Sequence, residues 1–410
     1  MAEKPEAAAV YILDAVIVAR QPPVVAAAPP DGGHALPADG AMDQVSEAQD
    51  RRMVEKVAAN IERLRAEGRL PEGAAPTVGG LAWPLGPVPG PGVDWHGISG
   101  FVDLNLAWPN QIRDYTCGTR TYDTTGGYNH RGIDYFIWPF PWTLMDAGAV
   151  DVLAAAPGTL VAKGDGNNDR SCSMNAPDTP NYVIIRHADG TVARYLHFKK
   201  DSVTTLPIGS AIAAGDVIGK VGSSGISTGP HLHFELRASN NVNAPTIEPH
   251  QGACNASGST WAQQRPYRDP AINRISTHSG APVYPNCPNT VDQPKFKDVF
   301  QPGDPISFLS AYRDIGRGML SSFRVLRPDG SPFASWTFDL ASQGGATPTA
   351  ARLHFEPERF GRFIEMKQRH LDGLRQQLRQ RNGDTVEVDG SRLNQATVAE
   401  LLGYLMDNPD

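Results

Sequence analysis

The sequence predicts a mainly β fold: an antiparallel sheet domain in the middle of the chain, a small sandwich-like domain after it, and helical segments at both ends. Three observations carry that prediction. Glycine (41) and proline (35) are abundant among the 410 residues, as in a chain with many turns. Short β-prone runs broken by turn signals fill residues 97–250. Apolar residues recur at helical spacing near both ends of the chain.

From the N-terminus, residues 1–41 are rich in Ala, Pro and Gly; VYILDAVIVA has the pattern of a strand and PPVVAAAPPDGG that of a linker. Between Met42 and Gly68, the residues Met53, Val54, Val57, Ala58, Ile61 and Leu64 recur at helical spacing with Glu and Arg between them, which predicts an amphipathic helix. Residues 69–95 return to Pro and Gly. In the centre, NYVIIRHADGTVARYLHF holds two short strands about the turn ADG, and GTLVAKGDG, AAGDVIGKVGSSG and HLHFELRA add further strand-and-turn units. DPISFLSAYRDI and SSFRVLRPDGSPFASWTFDL predict the sandwich-like domain. After residue 350, Phe360, Phe363, Ile364, Leu371, Leu374 and Leu378 share one helix face; VEVDG reads as a strand, and LNQATVAELLGYLMDN as a last helix that Asn394 caps. The basic residues of this tail read as a solvated helix face. These shifts divide the chain into 1–95 (linker, helix and candidate prosegment), 96–290 (central sheet domain), 291–345 (sandwich-like domain) and 346–410 (helical segment).

The formal charge of −7 and the lack of a long basic run predict no nucleic-acid partner. No run is long and apolar enough for a transmembrane segment: AAAVYILDAVIVA is short and carries Asp14. The opening MAEKPE is mixed in charge and lacks the basic start of a signal peptide, so the compartment is argued from the cysteines. Four cysteines, Cys117, Cys172, Cys254 and Cys287, form no CxxC pair. An even count at wide spacing predicts two disulfides in an oxidising compartment, secreted or in the cell envelope. Of three pairings, Cys117–Cys172 with Cys254–Cys287 is the expected one, each bridge stapling one loop-rich region.

The chemistry concentrates in NHRGIDYF (129–136), ARYLHF (193–198) and STGPHLHFEL (227–236). Side chains alternate across a strand, so His231 and His233 share a face. In His130-Arg-Gly-Ile-Asp134 the glycine breaks any helix, and a turn into a strand can bring imidazole and carboxylate together. Zinc takes such nitrogen and oxygen ligands, and a catalytic zinc needs three of them with one position open. Five candidates for three places leave two groups for acid–base work. Tyr195, two residues before His197, is expected on the same face as that histidine, either offering a hydroxyl to the groove or packing. Glu235 reads as a strand carboxylate paired with a neighbour.

The ordered set HxxxD, YLH and GSSGISTGPHLHFEL resembles the lysostaphin/LytM-like zinc metallopeptidases over residues 97–250, most closely at Gly222–Leu236. The resemblance implies one zinc ion held by His130, Asp134 and His233, with His197 and His231 as catalytic residues. It implies an endopeptidase acting on peptidoglycan stem peptides or cross-bridges. DYTCGTRTYD, WAQQRPY and the long insert IWPFPWTLMDAGAVDV resemble a secreted subgroup; the insert lines the groove, covers it, or packs aromatic rings over one end of the sheet. The competing readings are a non-catalytic zinc-binding regulator that acts on other cell-wall hydrolases, a zinc dipeptidase or carboxypeptidase on the same peptides, and a protease of glycine-rich host proteins.

Overall fold

The computed structural model describes residues 13–19, 34–37, 42–70, 78–87, 95–177, 179–242, 244–301, 304–314, 319–326, 332–339, 349–355, 386–388 and 391–393. Strands β1 (Leu13–Ala19) and β2 (His34–Pro37) precede helix α1 (Glu47–Ala66). Then come β3 (Leu85–Pro87), β4 (His96–Gly100), β5 (Ile133–Ile137), α2 (Pro141–Asp146), β6 (Val150–Leu153), β7 (Gly158–Gly164), β8 (Tyr182–Arg186) and β9 (Val192–Leu196). β10 (Ala211–Ile212), β11 (Val217–Lys220), β12 (His231–Arg237) and β13 (Ala271–His278) follow. The chain continues with β14 (Ile306–Arg313), β15 (Met319–Leu326), β16 (Pro332–Asp339), β17 (Thr349–Phe355), β18 (Val386–Val388) and β19 (Ser391–Leu393).

Antiparallel pairing dominates, as expected. The central sheet has seven strands in the order β10-β7-β8-β9-β12-β5-β4, and a smaller sheet, β11-β6-β3, accompanies it. Strand alternation gives the large sheet two different faces. One face carries Ile133, Tyr135, Val183, Ile185, Ala193, Tyr195, Leu232, Phe234 and Leu236 into the main core. The other face carries Val161, Tyr182, Ile184, Val192 and Leu196, and α1 lies on it.

α1 forms where the sequence predicts it. Ser46 and Gln49 close its N-terminus as a capping box, each side chain accepting from the other's backbone N–H. Met53, Val57, Ile61 and Leu64 are buried against the sheet, worth about 1.5–3 kcal/mol each. Ala58 is exposed, so the apolar stripe is narrower than the spacing suggested.

The second unit is built from the sheets β1-β15-β16 and β13-β14-β17-β2. A 2.5 Å hydrogen bond between the Tyr312 and Ser321 hydroxyls ties β14 to β15. Its limits differ from the predicted 291–345. β13 enters at Ala271, and Thr349–Phe355, expected at the start of a helical tail, is a strand paired with β14. Residues 1–95 are also more than linker and helix, because β1 pairs with β15 and β2 with β17. Partners far away in the chain set those strands, which local pattern does not show. VEV is a strand, as read; the helices predicted at 360–378 and 394–408 lie outside the described residues. The aromatic insert packs: Trp138 and Phe140 meet Leu309, Ala311 and Tyr284, joining the sheet domain to the second unit. Among the described residues no helix is long and apolar enough to cross a membrane.

Both expected disulfide pairings are wrong. The bridges are Cys117–Cys254 and Cys172–Cys287, across 137 and 115 residues of chain. Neither staples a local region. The Cys254 amide donates to the Tyr115 carbonyl, so two distant loops already run side by side there. Cys287 lies against the Thr228 carbonyl, in the loop that also pairs with Ser173.

Non-reducing digestion with mass spectrometry is expected to return 117–254 and 172–287 cross-linked peptides; a 117–172 or 254–287 peptide would overturn the arrangement. Replacing both cysteines of either bridge by serine should lower the unfolding free energy by about 2–5 kcal/mol in denaturant titration.

Candidate metal centre

The site grows from strand register. β12 runs antiparallel to β5, and His233 stands directly opposite Asp134. Directly opposed residues have neighbouring Cβ atoms, so the pair meets with no long-range adjustment. On the other side of β12, His233 pairs with Leu196, the residue before His197. His130 lies just upstream of β5, with its Nδ1 donating to the Phe101 carbonyl at 2.7 Å. That bond fixes the tautomer and turns Nε2 towards Asp134, 3.1 Å from Oδ1. His233 Nδ1 lies 3.0 Å from the same Oδ1.

His130, Asp134, His197, His231 and His233 are all fully buried, and the structure brings the five together. The His197 and His231 rings lie 4.6 Å apart. His231 Nδ1 donates to the Gly229 carbonyl at 2.8 Å, and its Nε2 has no hydrogen-bond partner, 3.7 Å from Asp134 Oδ1. His197 Nδ1 donates to the Ser224 carbonyl at 2.5 Å, and its Nε2 lies 2.8 Å from Asp43 Oδ2.

Sequence reasoning missed Asp43. It enters from the segment before α1, is wholly buried, and places Oδ2 3.0 Å from His233 Nδ1. Asp43, His130, Asp134 and His233 offer ligand atoms within 4.8 Å of one another. Tyr122 was missed too, although its segment RTYD had been noted. Its ring stacks on His130 at 4.4 Å, and its hydroxyl lies 2.6 Å from Asp43 Oδ1 and 2.7 Å from Asp134 Oδ2. A single phenolic hydrogen serves both carboxylates.

The donor set fits one metal ion. His130 Nε2 is buried, close to a carboxylate oxygen, and yet makes no hydrogen bond, as expected of two donors aimed at a common third point. Electrostatics agree. Burial opposes charge on His233, but Asp43 and Asp134 outweigh it and hold its pKa well above the usual value. Burial likewise opposes charge on His130, and Asp134 still raises it. Burial opposes charge on Asp134 too, yet His130 draws its pKa below the carboxylate range. His231 goes the other way: burial pushes it down to about 4 and keeps it neutral. Such a buried cluster of anions invites a cation.

Two neighbouring expectations resolve differently. Tyr195 points away from the site, into the main core, where its hydroxyl accepts from the Ala155 amide at 2.8 Å. The reason is local: His197 takes a left-handed φ of 68°, which breaks strand alternation between the two residues. Glu235 is paired as expected, accepting from Arg237 Nε at 2.6 Å with Arg194 at 3.8 Å.

Residues 129–245 match the sequence profile of Peptidase family M23, so the chain carries a domain of that family. Peptidoglycan DD-endopeptidase ShyC of Vibrio cholerae serotype O1 is 35% identical over 119 residues, 28% of this chain and 22% of that protein. The DD-carboxypeptidase/endopeptidase Mpg of Neisseria meningitidis serogroup B is 42% identical over 69 residues, 17% of this chain and 14% of that protein. The chain thus spans less than a quarter of the length of these curated relatives. The solved catalytic domain of the antimicrobial peptidase lysostaphin from Staphylococcus simulans aligns at 24% identity, covering 38% of this chain and 87% of that one, with a TM-score of 0.23.

Gly132 tests the packing of the cluster. A Cβ there would lie 2.5 Å from His233 Cε1 and Nε2 and 2.7 Å from the Phe234 carbonyl. Gly132→Ala should therefore displace the imidazole and weaken metal affinity by roughly 10–100-fold in a chelator competition, as changes beside a ligand do. An unchanged affinity would show that His233 does not bind the metal from this position.

Proposed function

We propose that the Peptidase family M23 domain of this chain is a zinc-dependent endopeptidase that hydrolyses peptide bonds in peptidoglycan, working outside the cytoplasm. The observation that carries this reading is the convergence of His130 Nε2, Asp134 Oδ1 and His233 Nδ1 on one buried point, with two further histidines beside it. The two disulfides fit an oxidising compartment. The names of the relatives supply the substrate class.

His130, Asp134 and His233 hold the ion. When bound, zinc supplies Lewis acidity for the scissile carbonyl and lowers the pKa of water towards ~7. The remaining work falls to the two other histidines, which differ in what faces Nε2: a carboxylate for His197, no partner for His231. His231 has its Nδ1–H fixed on the Gly229 carbonyl, so its bare Nε2 accepts the proton of the attacking water. His197 also has its Nδ1–H on the Ser224 carbonyl and turns Nε2 to the cluster; as the imidazolium it donates from Nε2 to the oxygen that becomes negative. Phe101, Gly229 and Ser224 orient the rings through backbone carbonyls.

A second reading has one specific support: Mpg is named both a carboxypeptidase and an endopeptidase. Mass spectrometry of purified peptidoglycan after digestion separates the two. Cleaved cross-links support the endopeptidase, and release of terminal residues alone supports the carboxypeptidase. Digestion unaffected by a chelator would sink both.

His233→Ala is expected to lose bound zinc and peptidoglycan solubilisation together. His231→Ala should keep zinc and lose about 10²–10⁴-fold in rate. Wild-type zinc content and activity in His233→Ala would remove the ligand assignment.

A further inference from the structure

We infer that the cavity between the aromatic insert and residues 284–292 binds the primary ammonium group of an aliphatic side chain on the wall peptide, with Asp292 as its counter-ion. The binding follows from the cavity itself; its use as a subsite rests on the zinc-endopeptidase reading above.

The cavity holds about 380 Å³, within the range of small-molecule sites. It adjoins the metal centre. Phe136, in its wall, stands two positions after Asp134 on β5, so the two share a face, and it lies opposite His231 in the β5–β12 register. Gly229, also in the wall, supplies the carbonyl on which His231 Nδ1 is fixed. A peptide with its scissile bond at the metal therefore has a neighbouring side chain beside this cavity.

The walls are aromatic. Tyr284 stacks on Phe140 at 5.0 Å and on Trp138 at 5.3 Å between ring centres, and Trp142 of α2 stands with them. The Cys172–Cys287 bridge lies in the same wall and ties the segment that carries Tyr284 and Asp292 to the sheet domain. Such rings cover the methylenes of a long side chain, and their faces attract a cation.

Asp292 brings an uncompensated carboxylate into this setting. It is 7% exposed; its Oδ2 accepts from the Thr143 amide at 2.9 Å, and its Oδ1 is buried with no hydrogen-bond partner. Among the described residues lining the cavity there is no lysine, arginine or histidine. The Tyr284 hydroxyl is also buried and unpartnered, and it can accept; Trp138 Nε1 is unpartnered too, and it only donates. An ammonium group with a peptide carbonyl near it answers all three. A neutral or anionic side chain leaves Asp292 unpaired, which is costly in a buried place. Burial already pushes the Asp292 carboxyl up to about 6 in spite of the Thr143 amide, with Asp146 adding to the rise. A bound cation opposes that rise.

The test titrates the full chain with N-acetyl-lysine amide and follows tryptophan fluorescence, with N-acetyl-norleucine amide as the uncharged probe. Wild type should bind the lysine probe about 10-fold or more tightly than the norleucine one, as a hydrogen bond to a charged group does. Asp292→Asn keeps an oxygen for the Thr143 amide and should bind the two alike. Tyr284→Phe keeps the ring stack, serves if Asp292→Asn folds poorly, and should lose about 2–10-fold for the lysine probe alone. With zinc bound, acetylating the amino groups of soluble peptidoglycan fragments should raise KM in wild type and leave it unchanged in Asp292→Asn. Equal affinity for both probes in wild type, or full discrimination in both variants, would overturn the inference. Glycine amide binding as tightly as the lysine probe would overturn the assignment to a side chain. Discrimination that depends on Asp292, in a chain that hydrolyses no peptidoglycan, would sink the endopeptidase reading and leave the cation cavity standing.

Discussion

The pairing of β5 with β12 is the constraint on which the site depends. It sets Asp134 opposite His233, and nothing in the site itself enforces that register. The opposite face enforces it. Ile133 and Tyr135 of β5, with Leu232, Phe234 and Leu236 of β12, are buried together in the main core. A slip of one residue would send those side chains to the polar face and the ligands into the apolar one. Burial of five large side chains therefore fixes the position of two polar ones. Metal affinity need contribute little to the fold for the geometry to hold.

That arrangement leaves a charged face needing cover. Beyond the histidines, β9 and β12 present Arg194, Glu235 and Arg237, all buried. An isolated buried charge is costly, and a partner that supplies opposite charge and hydrogen bonds offsets much of the cost. Asp50 offers that to the arginines, and Asp43 to the histidines. The apolar residues of α1 between the two anchors and beyond them seal the rest. Without the segment this face would meet water, which solvates such side chains well.

The sequence showed which side chains cluster and missed what covers them, for a physical reason. Period-two alternation in HLHFEL and the turn in HRGID are local, so His130, Asp134, His231 and His233 could be placed from residues within a few positions of each other. His197 was placed by its segment, but Tyr195 was put on the wrong face because a left-handed residue cannot be seen in YLH. Asp43 stands in MDQVSEAQD, a stretch that reads as nothing more than the approach to a helix. Its partners are 79 to 190 residues away, and only tertiary structure brings them near. The disulfides failed in the same way: the expectation favoured short loops, and the fold joined distant ones. β1 and β2 likewise find their partners in the last third of the chain.

The histidines show how the loops govern the chemistry as much as the strands do. Three of the four rings are oriented by a backbone carbonyl on Nδ1: Phe101 for His130, Ser224 for His197 and Gly229 for His231. Each therefore turns Nε2 towards the cluster. His233 is reversed, with Nδ1 inward between two carboxylates. A carbonyl on Nδ1 fixes tautomer and ring direction together. Two of the three carbonyls belong to the loop 222–230, whose next neighbour is the extended chain at Met42 to Gln44. The loop that orients both auxiliary histidines is thus the one that the N-terminal segment grips.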